Sequence, residues 1–413
     1  MDNRLTALFT EGRSVNIIGL RGSAAAFYLG RTARLGQRSM LCVTPSETAA
    51  QHLVQDLALF SDTPVLYFPG QEIPPYTPLS PDSRTVAERL ATLFQIHSAA
   101  KPFILVMSIE ALLRRVLPRT TLANLAELVM RGEDTDLDGL IASLAACGYD
   151  AAALVQSVGE FSLRGGILDI FPAGFEMPVR LDFCGDTVES IRKFDPISQR
   201  SVEDLEEIVL LPVSDVLYPA GERELHQLVG RFQAFAEDLG WDSERVRAME
   251  DCLQHRQRFP GVEFLLPLFC ETSTVLDYLA DDTLIFFSSP TAIAESLALC
   301  RERIEANFAE ASGAHLPVLP PEQIFLPEGE WRKRLARFQQ GRFYDFAHPD
   351  MEEGETLEIP CGNHVLLRQQ LELQRKNQGM LPELAGQLHA WLAAGDAIFF
   401  ACRTRRHAEH MAE

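Results

Sequence analysis

The stretch with the clearest chemical potential is Val15-Asn16-Ile17-Ile18-Gly19-Leu20-Arg21-Gly22-Ser23-Ala24-Ala25-Ala26-Phe27, which reads as a strand, a glycine turn and the start of a helix. That is the placement of G-x-x-x-x-G-K-[ST], in which backbone N–H groups and a helix N-terminus cradle phosphate oxygens. The reactive groups are missing. Aligned on Gly19, the second glycine falls at Ala24, the phosphate-binding lysine at Ala25 and the magnesium-holding hydroxyl at Ala26, with Gly22 and Ser23 inside the turn. Hydrolysis of a nucleoside triphosphate needs that ammonium on the β- and γ-phosphates and that oxygen on Mg²⁺. Methyl groups do neither. The acids that hold the metal usually end a buried strand, yet the best candidate, Leu284-Ile285-Phe286-Phe287-Ser288-Ser289-Pro290, ends in serines. The expectation is a phosphate loop without its chemistry: no catalytic residue, no cofactor and no ATP hydrolysis. The plainer alternative is an ordinary strand-turn-helix whose glycines only allow tight packing.

Other constellations are weaker. His407 and His410 lack the acid of an H-E-x-x-H arrangement, and no G-x-S-x-G elbow occurs, so neither a metal site nor a serine nucleophile is expected. Eight cysteines (42, 147, 184, 252, 270, 300, 361 and 402) are dispersed without a C-x-x-C pair, which reads as reduced thiols of a cytoplasmic protein. Trp331-Arg332-Lys333-Arg334-Leu335-Ala336-Arg337-Phe338 is a basic amphipathic helix, read as a solvated face before a contact with DNA or with another domain, and Arg114, Arg115 and Arg119 invite the same reading. Phe60, Phe68 and Phe103 read as core and not as a platform for stacking bases.

The elements that must position these residues belong to a multidomain globular chain. It has 413 residues, 46% of them hydrophobic and 23% charged, which excludes a disordered chain. Lysine and arginine number 37 against 58 aspartates and glutamates, a net charge of −21, so the overall field cannot coat nucleic acid and any DNA contact must be local. The opening MDNRLTALFTEGRS lacks the pattern of a signal peptide, and no apolar run approaches the ~18 residues of a membrane span. The expectation is a soluble protein with no membrane partner.

From Ser14 to Met107, short apolar runs at Val15 to Ile18, Ser39 to Thr44, Val65 to Phe68 and Phe103 to Met107 alternate with amphipathic helical stretches. That pattern predicts an α/β domain with a mainly parallel sheet, its first segment spanning residues 1–118. Pro69 to Pro81 is too rich in proline for helix or central strand and is expected to be a long surface loop. After Arg119 the period changes. A short helix near Leu137 to Cys147 precedes strand-like Gly166 to Phe171, Val179 to Phe183 and Val188 to Phe194, punctuated by short turns. This predicts a small antiparallel α+β domain over 119–210. Residues 211–345, helical from Tyr218 to Leu253 and with a buried strand at Thr283 to Phe287, are expected to complete the first sheet. A linker is assigned to 346–380 and a further small α/β unit to 381–413, with a helix at Pro382 to Ala394 and a strand at Ala397 to Cys402. The stop at Glu413 within what reads as the next helix favours a truncated last unit, a small complete module being the alternative.

Several strings together carry a family resemblance. Gly19-Leu20-Arg21-Gly22-Ser23, Tyr67-Phe68-Pro69-Gly70-Gln71-Glu72-Ile73-Pro74-Pro75-Tyr76 and Gly159-Glu160-Phe161-Ser162-Leu163-Arg164-Gly165-Gly166-Ile167-Leu168-Asp169-Ile170-Phe171-Pro172 resemble the Mfd family of bacterial transcription-repair coupling factors. The likeness continues through Arg180-Leu181-Asp182-Phe183, Phe194-Asp195-Pro196-Ile197-Ser198-Gln199-Arg200-Ser201 and Gly261 to Phe269. It implies the family's N-terminal module, which is similar to the excision-repair protein UvrB: a helicase-like, discontinuous α/β domain, a small domain that docks UvrA between its halves, and the start of a further α/β domain. It also implies that RNA polymerase and double-stranded DNA are engaged through family domains absent from this chain. UvrB itself, a nucleotide-dependent enzyme with an intact Walker lysine, is the alternative, and Ala25 and Ala26 decide against it.

The resemblance further implies that Arg164 and Arg180 contact UvrA. From the residues alone, Arg164 precedes Gly165-Gly166 at the mouth of a strand, and Arg180 alternates with apolar Val179 and Leu181, which sets it on the opposite face. Two guanidinium groups on neighbouring strands would form one cationic patch suited to a partner's carboxylates; solvated surface arginines are the alternative. The family places an aromatic after Phe183, where this chain has Cys184, so the apolar share of the UvrA contact is expected to be altered.

Overall fold

The computed structural model describes residues 14–219, 221–349, 351, 353–359, 361–362, 365–374, 381–398, 400, 402 and 404–412. The chain divides into two compact units, Met1–Ile359 and Pro360–Glu413. In chain order the strands are β1 (Val15–Ile18), β2 (Met40–Thr44), β3 (Val65–Phe68), β4 (Ile104–Ser108), β5 (Glu127–Met130), β6 (Asp150–Ala151), β7 (Glu160–Arg164), β8 (Ile167–Ile170), β9 (Val179–Cys184), β10 (Thr187–Phe194), β11 (Ser201–Leu205), β12 (Glu207–Leu210), β13 (Leu284–Ser288), β14 (Gln339–Tyr344) and β15 (Glu355–Glu358).

The larger sheet has seven strands in the order β15-β1-β14-β13-β2-β4-β3, all parallel. Strand residues pointing to opposite faces feed two cores. Met40 and Cys42 join Ile104, Val106 and Phe286 beneath helices Ala24–Gly36 and Glu47–Phe60. Leu41 and Val43 join Leu105, Met107, Ile285 and Phe287 on the other side, with helices Ser83–Ser98, Glu222–Leu239 and Pro290–Gly313. Two of these helices begin as their sequences dictate: the Ser46 side chain accepts from the Ala49 N–H at 3.2 Å and the Asp82 carboxylate from the Arg84 N–H at 2.9 Å.

A six-stranded sheet, β11-β10-β9-β8-β7-β6, forms a second body. It is antiparallel except where β6 runs parallel to β7. Its inward residues, among them Phe161, Leu168, Ile170, Leu181 and Ile191, close over helix Leu137–Ala146 and reach Ala87 and Ala91 of helix Ser83–Ser98. The chain enters this body on β5 and leaves on β12, and the two strands pair antiparallel from Glu127↔Leu210 to Met130↔Glu207. β13 and β14 then return to the parallel sheet, so the small body is an excursion from the large one.

Three expectations are revised. Residues 346–380 were expected to link, but Glu355–Glu358 pairs with β1 as an edge strand; its sequence, Glu-Thr-Leu-Glu, offers no apolar run because only Leu357 turns to the core. The Pro69 to Pro81 loop is not confined to the surface: Pro75 and Tyr76 are buried, and the Tyr76 ring stacks on Phe264 at 5.5 Å. In the second unit, helices Val365–Gln374, Leu381–Ala393 and Arg405–Ala412 are present. The strand expected at Ala397 to Cys402 falls partly outside the described residues, and the described ones there are not in a strand.

Candidate docking face and the degenerate phosphate loop

At the end of β1 the backbone closes on itself. Gly19 has φ +95°, and a Cβ there would lie 2.6 Å from the Ile359 carbonyl oxygen, so the position takes only glycine. The Gly19 N–H donates to the Tyr344 carbonyl at 3.0 Å, and the Ile359 N–H donates to the Ile18 carbonyl at 2.9 Å. The turn is thus seated between the ends of β14 and β15. Gly22, with φ +55°, and Ser23 are exposed, and Ser23 begins the helix without a side-chain capping bond. Ala24 and Ala25 pack half-buried against the core, and Ala26 is fully buried in it. The three positions that would carry a second glycine, a lysine and a hydroxyl therefore face apolar neighbours. Arg21, the one charged side chain of the turn, is exposed. Ser288 ends β13 and Ser289 sits at φ +59°, leading into helix Pro290–Gly313 with no acid at the strand end.

The outer face of the six-stranded sheet has the opposite character. Asp169 on β8 lies directly across from Arg180 on β9 and from Ser162 on β7. Its side chain is 2% exposed, and a carboxylate so buried needs partners. Arg180 supplies a bidentate pair, Nε to Oδ1 at 2.6 Å and Nη2 to Oδ2 at 2.8 Å. Arg164 Nη2 adds a longer bond to Oδ2 at 3.3 Å. Arg180 also stacks over the Phe194 ring at 4.6 Å and donates to Gln199 Oε1 at 3.3 Å. The Asp169 hydrogen bonds hold the Arg180 guanidinium protonated even more firmly than an ordinary arginine.

Arg164 and Arg180 are brought together, but not as neighbours. β8 lies between their strands, and its Asp169 is what gathers them. Both cations share this one anion, leaving positive charge in excess, and the Arg164 side chain is 55% exposed. Cys184, at the far end of β9, is exposed. One row beyond, Asp182 is satisfied by the Ser190 hydroxyl at 2.5 Å and by Arg192. Asp169 was not singled out from sequence, although a lone acid among Ile167, Leu168, Ile170 and Phe171 signals a buried charge awaiting partners.

Most of the remaining cationic candidates are paired with acids or buried, whereas Arg119 and Lys333 are exposed. Arg334 pairs with Asp277 and Glu330, Arg337 with Asp281, and Arg332 with Glu328. Arg115 binds Glu330 at 2.7 Å, Arg119 donates to His97, and Arg114 is buried over the Phe264 ring. Phe68 and Phe103 are core, and Phe60 packs half-buried against it. A cleft of about 690 Å³ at the carboxyl ends of β2, β3 and β4 is lined by Glu47, Glu72, Glu88 and Glu110, the last paired with Arg303. Among the described residues, no group of three or more His, Cys, Asp or Glu is placed to hold a metal ion, and no helix is long and apolar enough to cross a membrane.

The six-stranded body coincides with a known domain: the UvrB interaction domain family matches residues 128–215. Over 97% of its length the chain is 32% identical to the transcription-repair-coupling factor of Myxococcus xanthus, covering 34% of that protein. It is 28% identical over 74% of its length to the factor of Escherichia coli K12, covering 26% of it. To the Bacillus subtilis factor it is 28% identical over 68%, covering 24%. The chain thus spans about a third or less of these relatives, and along most of its own length it is similar to transcription-repair-coupling factors.

Proposed function

We propose that this chain is the UvrB-like, UvrA-recruiting module of a transcription-repair coupling factor in the bacterial cytoplasm, and that it binds UvrA without hydrolysing ATP. The observation that carries the reading is the Arg164–Asp169–Arg180 cluster inside the UvrB interaction domain. A buried carboxylate takes the Arg180 fork and one donor of Arg164, so two guanidinium groups are gathered on one face and the half-exposed Arg164 keeps most of its donors for a partner's acids. Interface arginines so placed are among the residues whose loss costs about 2 kcal/mol or more.

The parallel sheet is helicase-like in this reading, with β1 carrying the relic of a phosphate loop and β13 that of a metal-holding strand. Its methyl groups and serines supply no counter-charge for a triphosphate, and the acid-lined cleft beside β2 to β4 repels a phosphate backbone. RNA polymerase and double-stranded DNA are engaged by other parts of a full-length factor, which links a stalled polymerase to nucleotide excision repair by bringing UvrA to it.

Titration of the chain with purified UvrA tests the recruitment. The unmodified chain forms a stoichiometric complex; Arg164→Ala with Arg180→Ala weakens it at least about a hundred-fold. Because Arg180 also holds the sheet, Arg164→Glu serves as the charge reversal at an exposed position and loses binding with an unchanged circular dichroism spectrum. Full affinity in both variants defeats the reading.

A further inference from the structure

The docking face carries more than charge. Ile197, in the turn after β10, is 93% exposed. The turn that presents it is built from several directions. Asp195 Oδ1 accepts from the N–H groups of Ile197 at 3.1 Å and Ser198 at 2.6 Å, and the Asp195 N–H donates to the Arg200 carbonyl at 2.9 Å. Gln199 adopts φ +59°, and its Nε2 donates to the Pro196 carbonyl at 2.8 Å while its Oε1 accepts from Arg180. The same guanidinium that grips Asp169 therefore fixes the turn that holds Ile197 in solvent.

A lone exposed isoleucine is ordinary. This one is rigidly held, and it is not alone: Ile167, 41% exposed, pairs across the strands with Arg164 and Asp182, and Val202 on edge strand β11 is 60% exposed. Cys184 at the other end of β9 offers little apolar area. We infer that Ile197 is an apolar anchor of the docking face, entering a recess on UvrA whose rim carries the carboxylates that meet Arg164 and Arg180. This rests on the UvrA reading above and adds to it a residue, a chemistry and a shape for the partner. Charge complementarity at the arginines sets the orientation, and the apolar contact beside them is made at low entropic expense because the turn is already formed.

Equilibrium titration of UvrA against the labelled chain, at two salt concentrations, tests the anchor. Ile197→Ser is expected to bind at least about ten-fold more weakly at both salt concentrations, and Ile197→Val within about four-fold of the unmodified chain, in line with removal of buried CH₂ groups. Both melt like the unmodified chain, since Ile197 packs on nothing. Arg164→Glu, by contrast, loses affinity most at low salt. If Ile197→Ser binds like the unmodified chain while Arg164→Glu fails, the anchor is wrong and the docking face stands. If Arg164→Glu binds normally, the docking face is wrong and the anchor falls with it.

Discussion

The turn after β1 and the outer face of the six-stranded sheet are both places where a glycine-rich segment meets strand ends, and they have opposite electrical fates. At Ala24 to Ala26 the side chains are methyls packed on a core, and at Gly19 a backbone carbonyl closes over the turn. At Arg164 to Arg180 a carboxylate is kept inside the sheet with two guanidinium groups on it. Burying an ion pair contributes little net stability, because desolvation offsets the attraction. Alanines at the start of the helix, conversely, pack on the core with no charge to desolvate. Charge is absent at the three alanines that follow the turn and gathered on the face proposed to dock UvrA.

That contrast can be broken by mutation, and the largest effect belongs to Arg180. Arg180→Ala leaves Asp169 buried with only the longer Arg164 bond, and is expected to destabilise the chain by about 3 kcal/mol in urea denaturation. A loss under about 1 kcal/mol would mean that the carboxylate does not depend on its bidentate partner.

Next is Gly19→Ala, whose methyl would meet the Ile359 carbonyl from a backbone with φ +95°. It is expected to lower stability by about 2 kcal/mol, or to release β15 from β1, which hydrogen exchange at Ile359 would report. A neutral outcome would mean that the turn is loose enough to admit a ligand. Arg164→Ala, by comparison, should cost under about 1 kcal/mol of stability, since that side chain is mostly in solvent, while still weakening UvrA binding.

The smallest effect is a titration. The Asp195 carboxyl is held below the ordinary aspartate range by the N–H of Ser198 first, then by the Ser198 hydroxyl and the Ile197 N–H. A depressed carboxyl stabilises its turn at all pH values above the ordinary aspartate range, and that contribution disappears as pH falls through the lowered value. NMR titration should show the Asp195 midpoint below that of a free aspartate, with the Ile197 and Ser198 amides losing protection in step. An ordinary midpoint would show that the carboxylate does not hold the turn.

Much of the scaffold was legible because period speaks plainly. Four apolar runs before Met107 became β1 to β4, and the strands around Ile167, Val179 and Val188 became the antiparallel body. β15 was not, since a polar edge strand with one buried leucine carries no periodic signal. Nor could the sequence show that Ile359 would close the phosphate turn, because a backbone contact between distant segments leaves no mark in residue types. In the docking face the arginines were found and their geometry misjudged: alternation set Arg180 on the outer face, but only pairing order reveals that β8 and Asp169 lie between the two cations. Tyr76 was hidden by its prolines, which mark a loop without saying that its ring is buried on Phe264.

The most direct test sets the two regions against each other in one sample: calorimetric titration of the chain first with Mg²⁺ and a non-hydrolysable ATP analogue, then with UvrA. The nucleotide is expected to give no heat and UvrA a saturable one-to-one isotherm. Saturable nucleotide binding, with UvrA giving no heat, would contradict both expectations.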